Sequence, residues 1–134
     1  MGPLIALSVA AALLAAPAAG ATVAKSGYSF GRISGNIVPF TVTIAADGTV
    51  HATGPVTVGR RKLSKSQLAT LGKIAGQIHF GALPPTTACT GTLPDIAAGW
   101  IRSGSHRAQV HGTCSAAFTR FWNALETAVR LSTG

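Results

Sequence analysis

Cys89–Cys114 reads CTGTLPDIAAGWIRSGSHRAQVHGTC, and it encloses the stretch that sets the fold. Ile96–Arg102 alternates as a strand, with Ile96, Ala98 and Trp100 on its buried parity. Ser103-Gly104-Ser105 is a turn. His106–His111 runs back, with Ala108 and Val110 inward and Arg107, Gln109 and His111 outward. The predicted element is a β-hairpin bracketed by the two cysteines of the chain.

Working outward, the second cysteine abuts an amphipathic segment, Ser115–Leu131. Phe118, Phe121, Trp122, Leu125 and Val129 form an apolar stripe at helical spacing. Ser115 is a suitable N-cap, and Glu126 and Arg130 have the favourable i, i+4 order. Upstream, Phe80–Thr92 reads as loop. Before it, Ser64 and Gln67 form a capping box, Leu63 and Leu68 a hydrophobic staple, and Leu68, Leu71, Ile74, Ala75 and Ile78 one helix face. Gly72 and Gly76 weaken that helix, and Gly76 is placed to end it.

Asn36–Ala45 alternates as a half-buried strand through Val38, Phe40, Val42 and Ile44, with Pro39 marking an edge or a strand start. Ala46-Asp47-Gly48 turns the chain into Thr49–Thr53, and Val56 and Val58 suggest a short further strand. Thr22–Gly35 carries Tyr28, Phe30, Arg32 and Ser34 on one parity. Three glycines make it a weak strand, suited to an edge or an ordered arm. The expected architecture is α+β: an antiparallel sheet from two hairpins, two helices on one face, and one disulfide.

Residues 1–21, MGPLIALSVAAALLAAPAAGA, precede this fold. The apolar run Leu4–Ala16 ends at Pro17, and Ala19-Gly20-Ala21 fits the small-x-small pattern of signal-peptidase cleavage. The run is too short to span a bilayer, and no Lys or Arg precedes it. The expectation is a leader at 1–21, a single domain at 22–134, and a secreted or cell-envelope location. In an exported chain Cys89 and Cys114 are most simply one disulfide, which stabilises by about 3–4 kcal/mol through chain entropy.

Eleven Lys and Arg residues stand against three acidic ones, giving a net charge of +8. That balance favours anionic partners. Two basic groups stand out. Arg60, Arg61, Lys62 and Lys65 cluster at a helix start, where cations do not help the helix. Arg102 and Arg107 flank the hairpin tip. Both are candidate anion-binding sites.

The sequence FTVTIAADGTV (40–50), the capped helix, TLPDIAAGWIRSGSHRAQVHGTC (92–114) and SAAFTRFWNALETAVRLS (115–132) together resemble small exported proteins of actinobacteria, which are uncharacterised. The resemblance covers most of the mature chain. It implies export and one compact domain, and carries no activity or active site.

Catalytic patterns are weak. Gly27-Tyr28-Ser29-Phe30-Gly31 matches G-x-S-x-G, but lacks the strand-turn-helix context of a nucleophile elbow. Asp95 and His106 with Ser103 or Ser105 can be written as a triad, which only geometry could establish. His106 and His111 lie five apart in one strand and point to opposite faces, disfavouring a shared metal. His51 and His79 are isolated. Asp47, Asp95 and Glu126 occupy a turn, a strand start and a helix back, unlike the paired carboxylates of glycosidases. The expectation is a non-enzymatic exported binding domain without cofactor or metal. It would act on a protein or an anionic envelope polymer, not on a specific nucleic acid. The alternatives are a protease inhibitor presenting the loop Leu83–Leu93, or a small serine hydrolase.

Overall fold

A computed structural model describes residues 27–133, so the leader read at 1–21 and the first residues of the arm lie outside the described residues. Among the described residues the order is β1 (Tyr28–Ile33), β2 (Phe40–Ile44), β3 (Val50–Thr53), β4 (Val56–Val58), α1 (Lys65–Gln77), a 3-10 turn (Phe80–Ala82), β5 (Thr86–Ala88), β6 (Ala98–Ser103), β7 (His106–His111), α2 (Ala116–Val129) and β8 (Leu131–Thr133). Six strands make one mixed sheet in the order β3-β2-β1-β6-β7-β5, and β4 pairs with β8 in a separate ribbon. The two expected hairpins, β2–β3 and β6–β7, are present, and β1 joins them.

The inner face of the sheet follows from the register. Phe30 lies opposite Val42 and Ile101, and these three are fully buried. Phe40, Ile44, Val50, Ala108 and Val110 extend the same apolar layer. The stripe of α2 seals it: Phe121 meets Tyr28 edge-on at 5.7 Å, and Trp122 meets Phe30 at 5.3 Å. Both helices pack on this face, and Gln77 at the end of α1 accepts a hydrogen bond from Arg120 of α2 at 2.5 Å.

The helix starts form as read. Ser64 Oγ accepts from Gln67 N at 3.1 Å while Gln67 Oε1 accepts from Ser64 N at 2.8 Å. Ser115 Oγ accepts from Phe118 N at 3.2 Å. The ends depart from expectation. Helix α1 runs past Gly76, and the left-handed residue that turns the chain is His79. Helix α2 stops at Val129, because Arg130 adopts left-handed backbone with φ 54° and redirects the chain into β8. The expected Glu126–Arg130 pair therefore does not form among the described residues.

Gly76 is unconstrained: its φ is not in the left-handed region, and an added Cβ would meet nothing within 4 Å. Gly76→Ala is expected to stabilise the fold by about 0.8 kcal/mol through helix propensity, read as a rise in Tm.

Four further expectations are corrected. First, β1 is no edge or arm; it sits between β2 and β6. Gly31 is what permits this, since a Cβ there would collide with the Phe40 carbonyl. Second, β2 starts only at Phe40. Pro39 offers no N–H to a ladder, and Val38 is left 67% exposed. Third, Phe80–Thr92 is not simply loop: Phe80 is buried, and Thr86–Ala88 pairs with β7 in parallel. Fourth, the residues of β6 that face the helices are Gly99 and Ile101, not Ile96, Ala98 and Trp100; Ala98 is buried as expected but on the other parity, and Ile96 is 48% exposed. Gly99 faces α2, with an added Cβ 3.5 Å from the rings of Phe118 and Trp122. Trp100 therefore points to the opposite face of the sheet.

Candidate functional site: the helix-free face of the sheet

Cys89 follows β5, Cys114 precedes α2, and the two are joined as a disulfide with a Cα–Cα distance of 5.6 Å. Cys89 N donates to His111 O at 2.9 Å, continuing the edge pairing. The bridge thus fastens the edge strand to the start of α2.

The two basic groups have different surroundings. In the first, Arg60 is half-buried and its Nη1 donates to Ala128 O at 3.2 Å, satisfying a carbonyl at the end of α2. Lys62 Nζ lies 3.7 Å from Asp47 Oδ2, an exposed pair of little energetic weight. The Asp47 carboxyl is held below its ordinary pKa mainly by the N–H of Thr49, which donates to it at 2.9 Å, with Lys62 contributing less. Arg61 and Lys65 are exposed. This cluster is therefore partly committed to structure, and only Arg61 and Lys65 remain without a protein partner among the described residues.

The second group lies elsewhere. Arg102 on β6 stands directly opposite Arg107 on β7, both on the face that carries no helix. Like charges directly opposite one another destabilise an antiparallel pair. Arg107 is partly relieved: its guanidinium lies 4.9 Å from the centre of the Trp100 ring, and its Nη1 donates to Gln109 Oε1 at 2.9 Å. Trp100 is half-buried, and its indole N–H has no acceptor among the described residues.

The register extends this face across the sheet. One row runs His51, Thr43, Ser29, Arg102, Arg107, and the next runs Thr53, Thr41, Gly31, Trp100, Gln109, Thr86. The surface combines hydroxyls, amide, imidazole and guanidinium groups around one indole. It holds no carboxylate, because Asp47 and Asp95 lie in loops and Glu126 on α2. Such a surface can accept negative charge at two guanidinium groups and hydrogen-bond a chain of acceptors along its rows.

The sequence placed Arg102 and Arg107 at the tip but missed Trp100 and Gln109 as their companions. The signal was the parity of Arg102 itself, which Trp100 shares.

The proposed triads do not assemble. Ser29 faces outward and His106 inward. Ser103 and His106 are register partners, but Asp95 lies beyond the other end of β6. His106 Nε2 donates to Leu83 O at 2.9 Å, and His111 Nε2 donates to Ile96 O at 2.8 Å. Both imidazoles thus hold loops in place. No group of three or more potential metal ligands occurs among the described residues, and no helix among them is long and apolar enough to cross a membrane. The segment Leu83–Leu93 is divided by β5, and its distal part is turned, with Thr92 N donating to Cys89 O at 3.2 Å.

On the inner side, a cleft of about 670 Å³ separates α1 from one end of the sheet, lined by Tyr28, Ser103, His106, Phe80, Lys65 and small residues of α1. Burial pushes the Tyr28 phenol above its ordinary pKa.

No family model, no curated protein and no solved structure matches the chain.

Proposed function

We propose that this chain is an exported, non-enzymatic binding domain that holds an anionic envelope polymer against the helix-free face of its sheet. The observation that carries the reading is the Arg102–Arg107 pair, held side by side with Trp100 and Gln109 on a face without carboxylates. A phosphate or other anion between the two guanidinium groups turns their repulsion into two charge-assisted hydrogen bonds. The threonine and serine rows give a polymer backbone acceptor and donor positions along its length. Export is supported by the leader read at 1–21 and by the Cys89–Cys114 bridge, which persists in oxidising compartments.

The test is a titration of the purified protein with inorganic polyphosphate, followed by tryptophan fluorescence. Binding should perturb the emission of Trp100. Arg102→Ala with Arg107→Ala is expected to weaken binding by about tenfold or more at physiological salt, each lost charged hydrogen bond weakening it severalfold. Arg61→Ala should have a smaller effect, because long-range attraction alone is screened within about 8 Å. Equal losses from Arg61→Ala and from the paired variant would show that only net charge acts, and would sink the reading.

A further inference from the structure

The inner face of the sheet is apolar through its middle; at one end Arg32 lies over the Trp122 ring at 4.7 Å, and the other end is polar as well. There Tyr28, Ser103 and His106 lie side by side across β1, β6 and β7, one row beyond the sealed layer of Phe30, Ile101 and Ala108. This polar row forms one wall of the 670 Å³ cleft, and α1 forms the other. The volume falls within the range of small-molecule sites.

The α1 wall presents Gly72 and Gly76, one turn apart. Packing requires neither glycine: a Cβ on Gly76 meets nothing within 4 Å, and one on Gly72 meets only Tyr28 Oη at 3.7 Å. Their effect is to leave the cleft unfilled. Leu68, Ala75 and Phe80 supply apolar surface, and Phe80 is fixed edge-on between His106 at 5.3 Å and Phe121 at 5.4 Å. The polar groups are few. His106 is occupied by Leu83 O, which leaves Tyr28 Oη, Ser103 Oγ and Lys65 Nζ to meet a ligand. The Tyr28 phenol, protonated at neutral pH, is available as a donor. No carboxylate lines the cleft.

We propose that this cleft binds a small amphiphile with an apolar body and a single anionic head group. The body lies along Leu68, Phe80 and the glycine face of α1. The carboxylate or sulfonate head is taken by Lys65, with Tyr28 and Ser103 as hydrogen-bond donors. Charge complementarity selects this occupant over a neutral or cationic one. The site is separate from the outer sheet face and does not depend on what that face binds.

The test uses two probes on the purified protein: dodecanoate by calorimetry, and 8-anilinonaphthalene-1-sulfonate by fluorescence. Both are expected to bind and to compete, and methyl dodecanoate to bind more weakly than the acid. Gly76→Leu fills the cleft and should weaken both probes by at least about tenfold while the Tm stays at or above that of the parent. Lys65→Glu puts a carboxylate at the start of α1, where it favours the helix, and should leave the fold intact while weakening dodecanoate by about tenfold. Absence of binding by the parent protein at millimolar probe overturns the proposal. So does unchanged affinity in folded Gly76→Leu, or in Lys65→Glu.

Discussion

Phe121→Ala should lower stability by about 4 kcal/mol, which for a domain of this size corresponds to a fall in Tm of about 15–25 °C. Phe121 is fully buried, and its ring is held edge-on by Tyr28 at 5.7 Å and by Phe80 at 5.4 Å. Truncation removes the apolar transfer energy and leaves a void between the sheet, α2 and the 3-10 turn. These neighbours cannot collapse into it easily, since Tyr28 belongs to a paired central strand and Phe80 to a turn fixed by backbone bonds. Phe121→Leu keeps most of the volume and should cost less than about 1.5 kcal/mol. Thermal unfolding followed by circular dichroism compares the two variants. Similar small losses in both would mean that the ring is not the packing centre assigned to it.

Cys114→Ser should cost about 3–4 kcal/mol, by the loop-closure argument for a bridge of sequence separation 25. The expected fall in Tm is about 12–20 °C. The loss is also local. Cys89 follows an edge strand of three residues, whose other attachment is its pairing with β7. Without the bridge, β5 and the start of α2 should exchange amide hydrogens faster than the β1–β6 centre, and Cys89 should become open to alkylation. An unchanged Tm in oxidising buffer would show that the bridge carries no stability.

Local signals were legible where one parity or one helical stripe was apolar and the other polar. Phe118, Phe121, Trp122, Leu125 and Val129 announced α2, and Ser64 with Gln67 announced the start of α1. Val42 and Ile44 between threonines announced β2. The illegible parts have a common cause: their partners are distant in sequence. Ile96-Ala97-Ala98-Gly99-Trp100-Ile101 is apolar on both parities, so alternation could not choose a face. Gly99 turned inward because the rings of α2 fill the space above it. Thr86-Thr87-Ala88 has no strand pattern of its own and becomes β5 only beside β7. Arg130 carries none of the usual glycine or asparagine signature of a helix end. The candidate sites followed the same rule. Arg102 and Arg107 could be named from the sequence, but their alignment with Trp100 and Gln109 needed the register. The glycines of α1 read as weak points of a helix rather than as the wall of a cleft.

The position of β1 has a consequence for how the chain reaches its native state. Its partners are β2, which follows at once, and β6, which lies near the other end of the described chain: Phe30 meets Ile101 and Tyr28 meets Ser103. The N-terminal three-stranded meander can form early, but the sheet cannot close until the far hairpin exists. Such distant pairings carry a large loop-closure entropy and place folding on the order of milliseconds to seconds, slower than helical proteins of similar length. Through that interval β1 is an open edge with Phe30 uncovered, a template for pairing with other chains. The period of greatest aggregation risk therefore precedes the native state, and it ends when β6 docks.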